Sequence, residues 1–454
     1  MEQTIKNDVS ALRTYFNIGA SKSLDFRIKQ LRKFRETIIK HQAEIETALW
    51  NDLRKSSQEA YLTEISIVLQ EIDLHIKKLR SWAKPQKVRT QISIYPSRSY
   101  IYTEPLGVTL IMAPWNYPFQ LILNPLVGAI SAGCVAMLKP SPAAKETAKI
   151  VEKIIRECFD TNYVNVVQGG REVNALLLKE KYDFIFFTGS PFLGKLVYKA
   201  AAENLTPVIL ELGGKSPCVV DKDADIQIAA RRIMWGKSIN SGQTCIAPDY
   251  LFVHLSVKEK LLDAMKQELT KLYSDTENIE DSAFYPRMIN EAAFDRVKAL
   301  FESENICFGG KTNCEKLFIE PTVVDGITPE SKIMQEEIFG PVLPLMTFES
   351  IGEVYDYVNK NDKPLALYYF GKNDEDVLKN TTSGGACIND TLMHIANQNL
   401  PFGGVGNSGM AKYHGRESFL LFSNRRSVVK SINCIDLPFK YPPFKYFNLV
   451  KKIL

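Results

Sequence analysis

From residue 108 onward the sequence alternates short apolar runs with longer amphipathic ones, and no other feature limits the fold as strongly. Runs at 108–112, 135–139, 164–167, 184–188 and 208–212 are short and rich in Val, Ile, Leu and Phe, as buried strands are. Helical stretches near 118–131, 142–159, 171–179 and 192–203 separate them. Strands joined by helices of that length do not form hairpins. They return through right-handed crossovers and lie parallel in a sheet covered on both faces. A second series follows, with strands at 218–221, 250–255, 342–348, 365–370 and 386–389 and helices near 224–238, 257–273, 350–359 and 373–380. The fold class predicted is therefore α/β, with two doubly wound units. A chain of 454 residues fits this, since one core seldom grows past ~250–300 residues.

The flanks read differently. Tyr61, Ile65, Leu69, Ile72, Ile76 and Leu79 form an apolar stripe at helical spacing, so the first eighty or so residues are expected to be helical. Residues 82–105 place Ile92, Ile94, Tyr100 and Tyr102 among polar neighbours and predict a short hairpin. Residues 436–454, rich in Pro, Phe, Tyr and Lys, read as a surface tail. One uncharged stretch, residues 105–138, is longer than the ~20 residues a membrane-spanning helix needs. Pro114, Pro118 and Pro125 break it and Asn116, Gln120 and Asn124 would need partners in lipid, so it predicts a buried strand, loop, helix and strand.

Charge and cysteine usage narrow the chemistry. Lys+Arg is 56 against Asp+Glu 52, which leaves no basic excess for nucleic acid. The eight cysteines contain no C-x-x-C pair and the five histidines are dispersed, so free thiols in a reducing, cytoplasmic setting are expected and no metal site. Gly404-Val405-Gly406-Asn407-Ser408-Gly409 matches the dinucleotide fingerprint, but no strand precedes it; it reads as a glycine-rich turn. Thr188-Gly189-Ser190, ahead of Gly194, joins a strand to a helix and either is a simple turn or offers backbone N–H groups to a pyrophosphate.

Three residues stand out for chemistry. Asn116 lies in a proline-stiffened loop after a buried strand, where its amide either satisfies its own turn or points at one fixed place. Glu211 puts a carboxylate inside an apolar strand, either paired with a cation such as Lys215 or raised in pKa to serve as a base. Cys245 is either a small buried apolar group or a nucleophile; with a pKa of ~8.5 a free thiol would need a base or local dipoles. The interval from Glu211 to Cys245 fits one strand, one crossover helix and a return to the same end of the same sheet.

Taken together these segments resemble the aldehyde dehydrogenase superfamily along the whole chain. The matching motifs are Pro114-Trp115-Asn116, Phe187-Thr188-Gly189-Ser190, Leu210-Glu211-Leu212-Gly213-Gly214-Lys215, Gly242-Gln243-Thr244-Cys245, Glu336-Glu337-Ile338-Phe339-Gly340-Pro341 and Pro401-Phe402-Gly403-Gly404. Cys245-Ile246-Ala247-Pro248-Asp249-Tyr250, Asn389-Asp390-Thr391 and Tyr413-His414-Gly415 resemble the short class-3 branch, which acts on medium- to long-chain and aromatic aldehydes.

The resemblance implies two Rossmann-like units and a β-hairpin oligomerisation arm. Residues 1–83 and 107–210 would bind NAD or NADP, residues 211–412 would carry catalysis, and 84–106 with 413–454 would form the arm and tail of a homodimer. It implies Cys245 as nucleophile, Asn116 as oxyanion donor and Glu211 as the base that activates water, which favours hydrolysis over transfer to a thiol. Trp115, Lys139, Gly189, Ser190, Gly194, Glu337 and Phe339 would contact the cofactor. Pro142 stands where many NAD-preferring relatives carry a Glu, so weak discrimination between NAD and NADP is expected. Tyr61, Tyr117, Leu392 and Ile395 are candidates to line the substrate path. The tail is expected to pack across a dimer, with weak peripheral membrane contact through 436–454 as the alternative.

Overall fold

Both strand series form sheets in the computed structural model, which describes residues 1–436 and 438–453. Leu437 and Leu454, part of the expected tail, lie outside the described residues. The first sheet runs Gly409–Met410, Val208–Leu212, Phe184–Gly189, Val108–Met112, Val135–Lys139, Val164–Val166. The last five are parallel neighbours, with Met112 opposite Lys139 and Thr188 opposite Glu211. From Val108–Met112 the chain first winds outward to one side and then returns to the other. The loops after Met112 and Gly189 therefore flank a topological switch point, where ligands bind in open α/β sheets.

The second sheet runs Asn305–Phe308, Thr322–Asp325, Val342–Phe348, Tyr250–His254, Pro217–Val220, Ala366–Phe370, Gly385–Ile388. Its first two strands and the helix Glu291–Phe301 are additions to the predicted pattern. Asn305–Phe308 is antiparallel and mostly exposed, so it lacks the continuous apolar run that marks the inner strands.

Three expectations change. The stretch 105–138 is strand, loop, helix and strand as predicted, but Gln120–Ala132 continues through Pro125; every residue of that helix is buried, and packing outweighs the lost backbone bond. Of the 82–105 hairpin, Gln86–Val88 pairs with Arg98–Pro105, while Ile92–Ile94 is a 3-10 turn. A third strand, Ser423–Lys430, pairs along the whole of Arg98–Pro105 and completes the arm. The apolar stripe starting at Tyr61 is broken at its head: Tyr61–Ile65 is a π-turn, closed by Ser66 N–H to Tyr61 O, whose extra residue turns Tyr61 outward and buries Glu64. No helix among the described residues is long and apolar enough to cross a membrane.

The 413–454 stretch divides. Tyr413 is buried edge-on against Phe186, and Gly415–Leu421 packs on the Ser66–Trp82 and Gln120–Ala132 helices of the first unit. Only Ser423–Lys430 joins the arm, and the tail ends in a short helix, Phe447–Ile453.

Candidate active site

Cys245 lies in the loop between helix Ile226–Ser238 and strand Tyr250–His254, and three successive residues ahead of it take left-handed backbone. Asn240, Ser241 and Gly242 have φ of 51°, 53° and 69°. A side chain at Gly242 would place its Cβ 2.3 Å from Gly340 O, so glycine is what lets this loop cross the 336–341 segment. Gln243 is fully buried and secures the turn, donating to Asn240 O and Arg287 O and accepting from Ile289 N–H.

The Cys245 sulfur is half-buried among apolar and acidic neighbours. Burial, with the nearby Glu337 and Glu211 carboxyls, pushes its thiol well above the ordinary range, while the backbone N–H groups of Cys245 and Ile246 partly offset the rise. The resting site therefore holds a thiol.

Glu211 sits at the end of Val208–Leu212, 3% exposed, with neither carboxylate oxygen hydrogen-bonded. Burial pushes its pKa well above the carboxylate range, countered only by the charge of Lys412. The paired alternative fails: Lys215 is engaged by Asp249 at 2.5 Å, and Lys412 donates to Gly384 O and Gly403 O. Nor do Glu211 and Cys245 belong to one sheet. Glu211 is on the first, and the chain crosses through Gly213–Ser216 into the second before reaching Cys245, so the site spans the join between the units.

The glycine-rich 404–409 segment is a turn, as read, yet it serves this carboxylate. Gly409 pairs with Glu211, and a Cβ on Gly403 would come 2.7 Å from Glu211 Oε1.

Asn116, 2% exposed, is held on several sides. Its Nδ2 donates to Gln243 O at 3.0 Å, leaving its second N–H free, and its backbone O accepts from Asn240 Nδ2 at 2.8 Å and Lys55 Nζ at 3.1 Å. Tyr117 is buried, not on an open funnel, and its hydroxyl meets Thr244 Oγ1 at 2.7 Å beside Cys245. Tyr61 remains 39% exposed, while Leu392 is buried.

The cofactor candidates gather on the same side. Trp115 stands edge-on to Phe339 at 5.4 Å, which ties the Asn116 loop to the 336–341 segment. Lys139 is buried and donates only to Pro140 O at 2.8 Å, so two N–H bonds remain for a ligand; burial pushes its pKa down to about 8. Ser190 caps helix Pro191–Glu203 by accepting from Leu193 N–H, and Gly194 packs under Leu212. Glu337 lies so close to the strand end that a Cβ on Gly213 would meet its Oε2 at 2.0 Å. Burial and the Asp249 charge push Glu337 up to about 8. The Lys215–Asp249 pair fastens this segment, Lys215 donating to Glu336 O and Asp249 accepting from Ile338 N–H.

Sequence reasoning missed Lys55, Glu59, Glu64 and Asp249 as builders of the site. Asp249 was visible only as a member of the Cys245–Tyr250 motif, and Lys55, Ser56, Ser57, Gln58 and Glu59 read as an ordinary polar stretch.

Two α/β units that meet at a cysteine, an unpaired glutamate and an asparagine suit covalent catalysis through a cysteine. The profile of the aldehyde dehydrogenase family matches residues 2–428, and the chain belongs to that family. It is 44% identical over 438 residues to the 4,4'-diaponeurosporen-aldehyde dehydrogenase of Staphylococcus aureus, covering 95% of each chain. It is 44% identical over 445 residues to the dimeric NADP-preferring aldehyde dehydrogenase of Rattus norvegicus, covering 97% of this chain and 98% of the relative. A substrate-bound structure of Staphylococcus aureus AldH superposes with a TM-score of 0.97 at 43% identity, covering 99% of both chains. The chain is an aldehyde dehydrogenase that works with NAD or NADP.

Proposed function

We propose that this enzyme oxidises medium- to long-chain aliphatic or aromatic aldehydes to carboxylic acids, with Cys245 as nucleophile, Asn116 as oxyanion donor and Glu211 as the hydrolytic base. The observation that carries the reading is the Glu211 carboxylate, buried and unpartnered within the electrostatic reach of the Cys245 thiol. The Cys245 thiol gives up its proton to solvent as Sγ adds to the carbonyl carbon, and the new oxyanion accepts from the free Asn116 Nδ2–H and the Cys245 backbone N–H. Bound NAD or NADP supplies the hydride acceptor. Lys139, the Gly189-Ser190 turn with Gly194, Trp115, Glu337 and Phe339 would hold it, and the spare N–H bonds of buried Lys139 suit a ribose hydroxyl. Loss of hydride leaves a thioester on Cys245. Glu211, raised in pKa, takes a proton from water, and the resulting hydroxide displaces the cysteine.

The substrate class follows the class-3 resemblance. Pro142, exposed and unable to repel a 2′-phosphate, supports weak discrimination between the two cofactors, in keeping with the rat relative's NADP preference. Residues 1–83 and 107–210 are assigned to the cofactor and 211–412 to catalysis. A homodimer is supported by the rat relative's dimeric state and by the arm strand Ser423–Lys430, whose second edge has no partner strand among the described residues. Tyr441, Phe444, Tyr446 and Phe447 are exposed and suit packing across that dimer, with membrane contact as the alternative. Free cysteines throughout support a cytoplasmic setting.

The test is to quench the enzyme in acid during turnover of a long-chain aldehyde and map the acyl group by peptide mass spectrometry. The adduct is expected on Cys245; an acyl group on any other thiol, or on none during active oxidation, sinks the reading. Rates from acetaldehyde to hexadecanal, with benzaldehyde, check the substrate class, and fastest turnover on acetaldehyde would count against it.

A further inference from the structure

The Asn116 loop is gripped by a buried ion pair that no step above uses. Lys55 and Glu64 are both 0% exposed, with Nζ 2.5 Å from Oε1. Lys55 Nζ also donates to Asn116 O at 3.1 Å and lies 3.9 Å from the centre of the Tyr117 ring. Glu64 Oε2 accepts the N–H groups of Phe119 at 2.8 Å and Gln120 at 3.2 Å. One pair thus touches the loop at 116, 117, 119 and 120, and it makes no hydrogen bond elsewhere among the described residues.

Glu64 reaches this place because the π-turn Tyr61–Ile65 rotates it inward. The cysteine side is joined to the same carbonyl: Asn240 Nδ2 bridges Asn116 O and Gln243 O, while Glu59 Oε1 accepts Asn240 N–H at 2.8 Å. A buried ion pair contributes little net stability, because desolvation offsets the attraction. What this pair does supply is a fixed seat for the Asn116 loop, whose carbonyl also takes Asn240 Nδ2 from the Cys245 loop.

We propose that Lys55 and Glu64 are positioning residues that set where the Asn116 amide meets the carbonyl oxygen of an aldehyde bound at Cys245, and that they act on acylation through Asn116. The proposal rests on Asn116 being an oxyanion donor. A displacement of about 1 Å at such a donor can cost roughly a hundredfold in rate.

The experiment uses the full chain with Lys55→Met, Glu64→Gln and Asn116→Ala, singly and in pairs with Asn116→Ala. Stopped-flow cofactor reduction with enzyme in excess reports acylation. Alkylation of Cys245 by iodoacetamide reports thiol reactivity with no oxyanion formed. Lys55→Met is expected to slow acylation about ten- to a hundredfold, with alkylation and cofactor dissociation unchanged. In the Asn116→Ala background it should add no further slowing. Normal acylation, an equal slowing in that background, or a parallel fall in alkylation would each overturn the proposal. Should Lys55→Met fail to fold, isosteric Glu64→Gln carries the same cycle with a smaller slowing, and full-rate acylation there overturns it. Full-rate acylation by Asn116→Ala would instead sink the oxyanion reading itself, whatever Lys55 does.

Discussion

Asn116 and Glu211 border the same cysteine, yet the fold treats them in opposite ways. Asn116 is held from several sides: its backbone carbonyl accepts two hydrogen bonds, its side-chain amide donates one and keeps one N–H free, and its loop is fixed by Lys55 and Glu64. Glu211 has no hydrogen bond on either oxygen, and Lys412, the cation that most affects it, donates to Gly384 O and Gly403 O instead. The difference suits the role proposed for each group. A donor that only stabilises charge works best when it needs no reorganisation. A base must gain and lose a proton during each turnover, so firm partners that fix one protonation state would hinder it.

The strongest way to break this contrast is to remove the base. Glu211→Gln should lower steady-state turnover about 10²–10⁴-fold while sparing acylation, so that a burst of reduced cofactor equal to the active sites becomes visible. The wild-type rate should also rise with pH, because Glu211 serves as a base only after losing a proton held at raised pKa, and Glu211→Gln should lose that limb. Stopped-flow traces from pH 6 to 10 decide it, and unchanged steady-state turnover would remove Glu211 from the role. Asn116→Ala should do less to turnover, about 10²–10³-fold, but should act on the first step, so the burst shrinks. A persistent full burst in that variant would show that the firmly held side of the site is not an oxyanion hole.

How far the chain could be read depended on whether a residue's role was local. The parallel strands were legible because both faces are buried, which writes an unbroken apolar run such as Val-Thr-Leu-Ile-Met at 108–112. Asn305–Phe308 and Thr322–Asp325 escaped because an exposed edge and a four-residue length leave no such run. Cys245, Glu211 and Asn116 were legible by their motifs. Their supports were not, since Lys55 and Glu64 find their meaning only across the fold at Asn116 and Phe119. The same blindness hid the crossing between sheets at Gly213–Ser216: spacing from Glu211 to Cys245 suits one sheet or two equally well, and only the packing of whole units chooses. The π-turn at Tyr61–Ile65 defeated the helical stripe for a related reason, because a single inserted residue shifts phase without changing composition.

The contrast also carries a small stability signature. Burial raises the Glu211 pKa in the folded state above its unfolded value. Its contribution to stability is therefore intact below the ordinary carboxyl range and is lost as pH rises toward the raised value, because only the unfolded chain then ionises freely. Gln at this position cannot ionise and fills nearly the same volume. Glu211→Gln should match wild type in thermal midpoint near pH 4.5 and exceed it by on the order of 1–2 °C at pH 8. Asn116→Ala, which strips a bonded side chain from a packed loop, should lower the midpoint at both pH values instead. Parallel melting curves of the three proteins at the two pH values would test this, and a Glu211→Gln midpoint below wild type at pH 8 would mean that the carboxylate is held by contacts of its own.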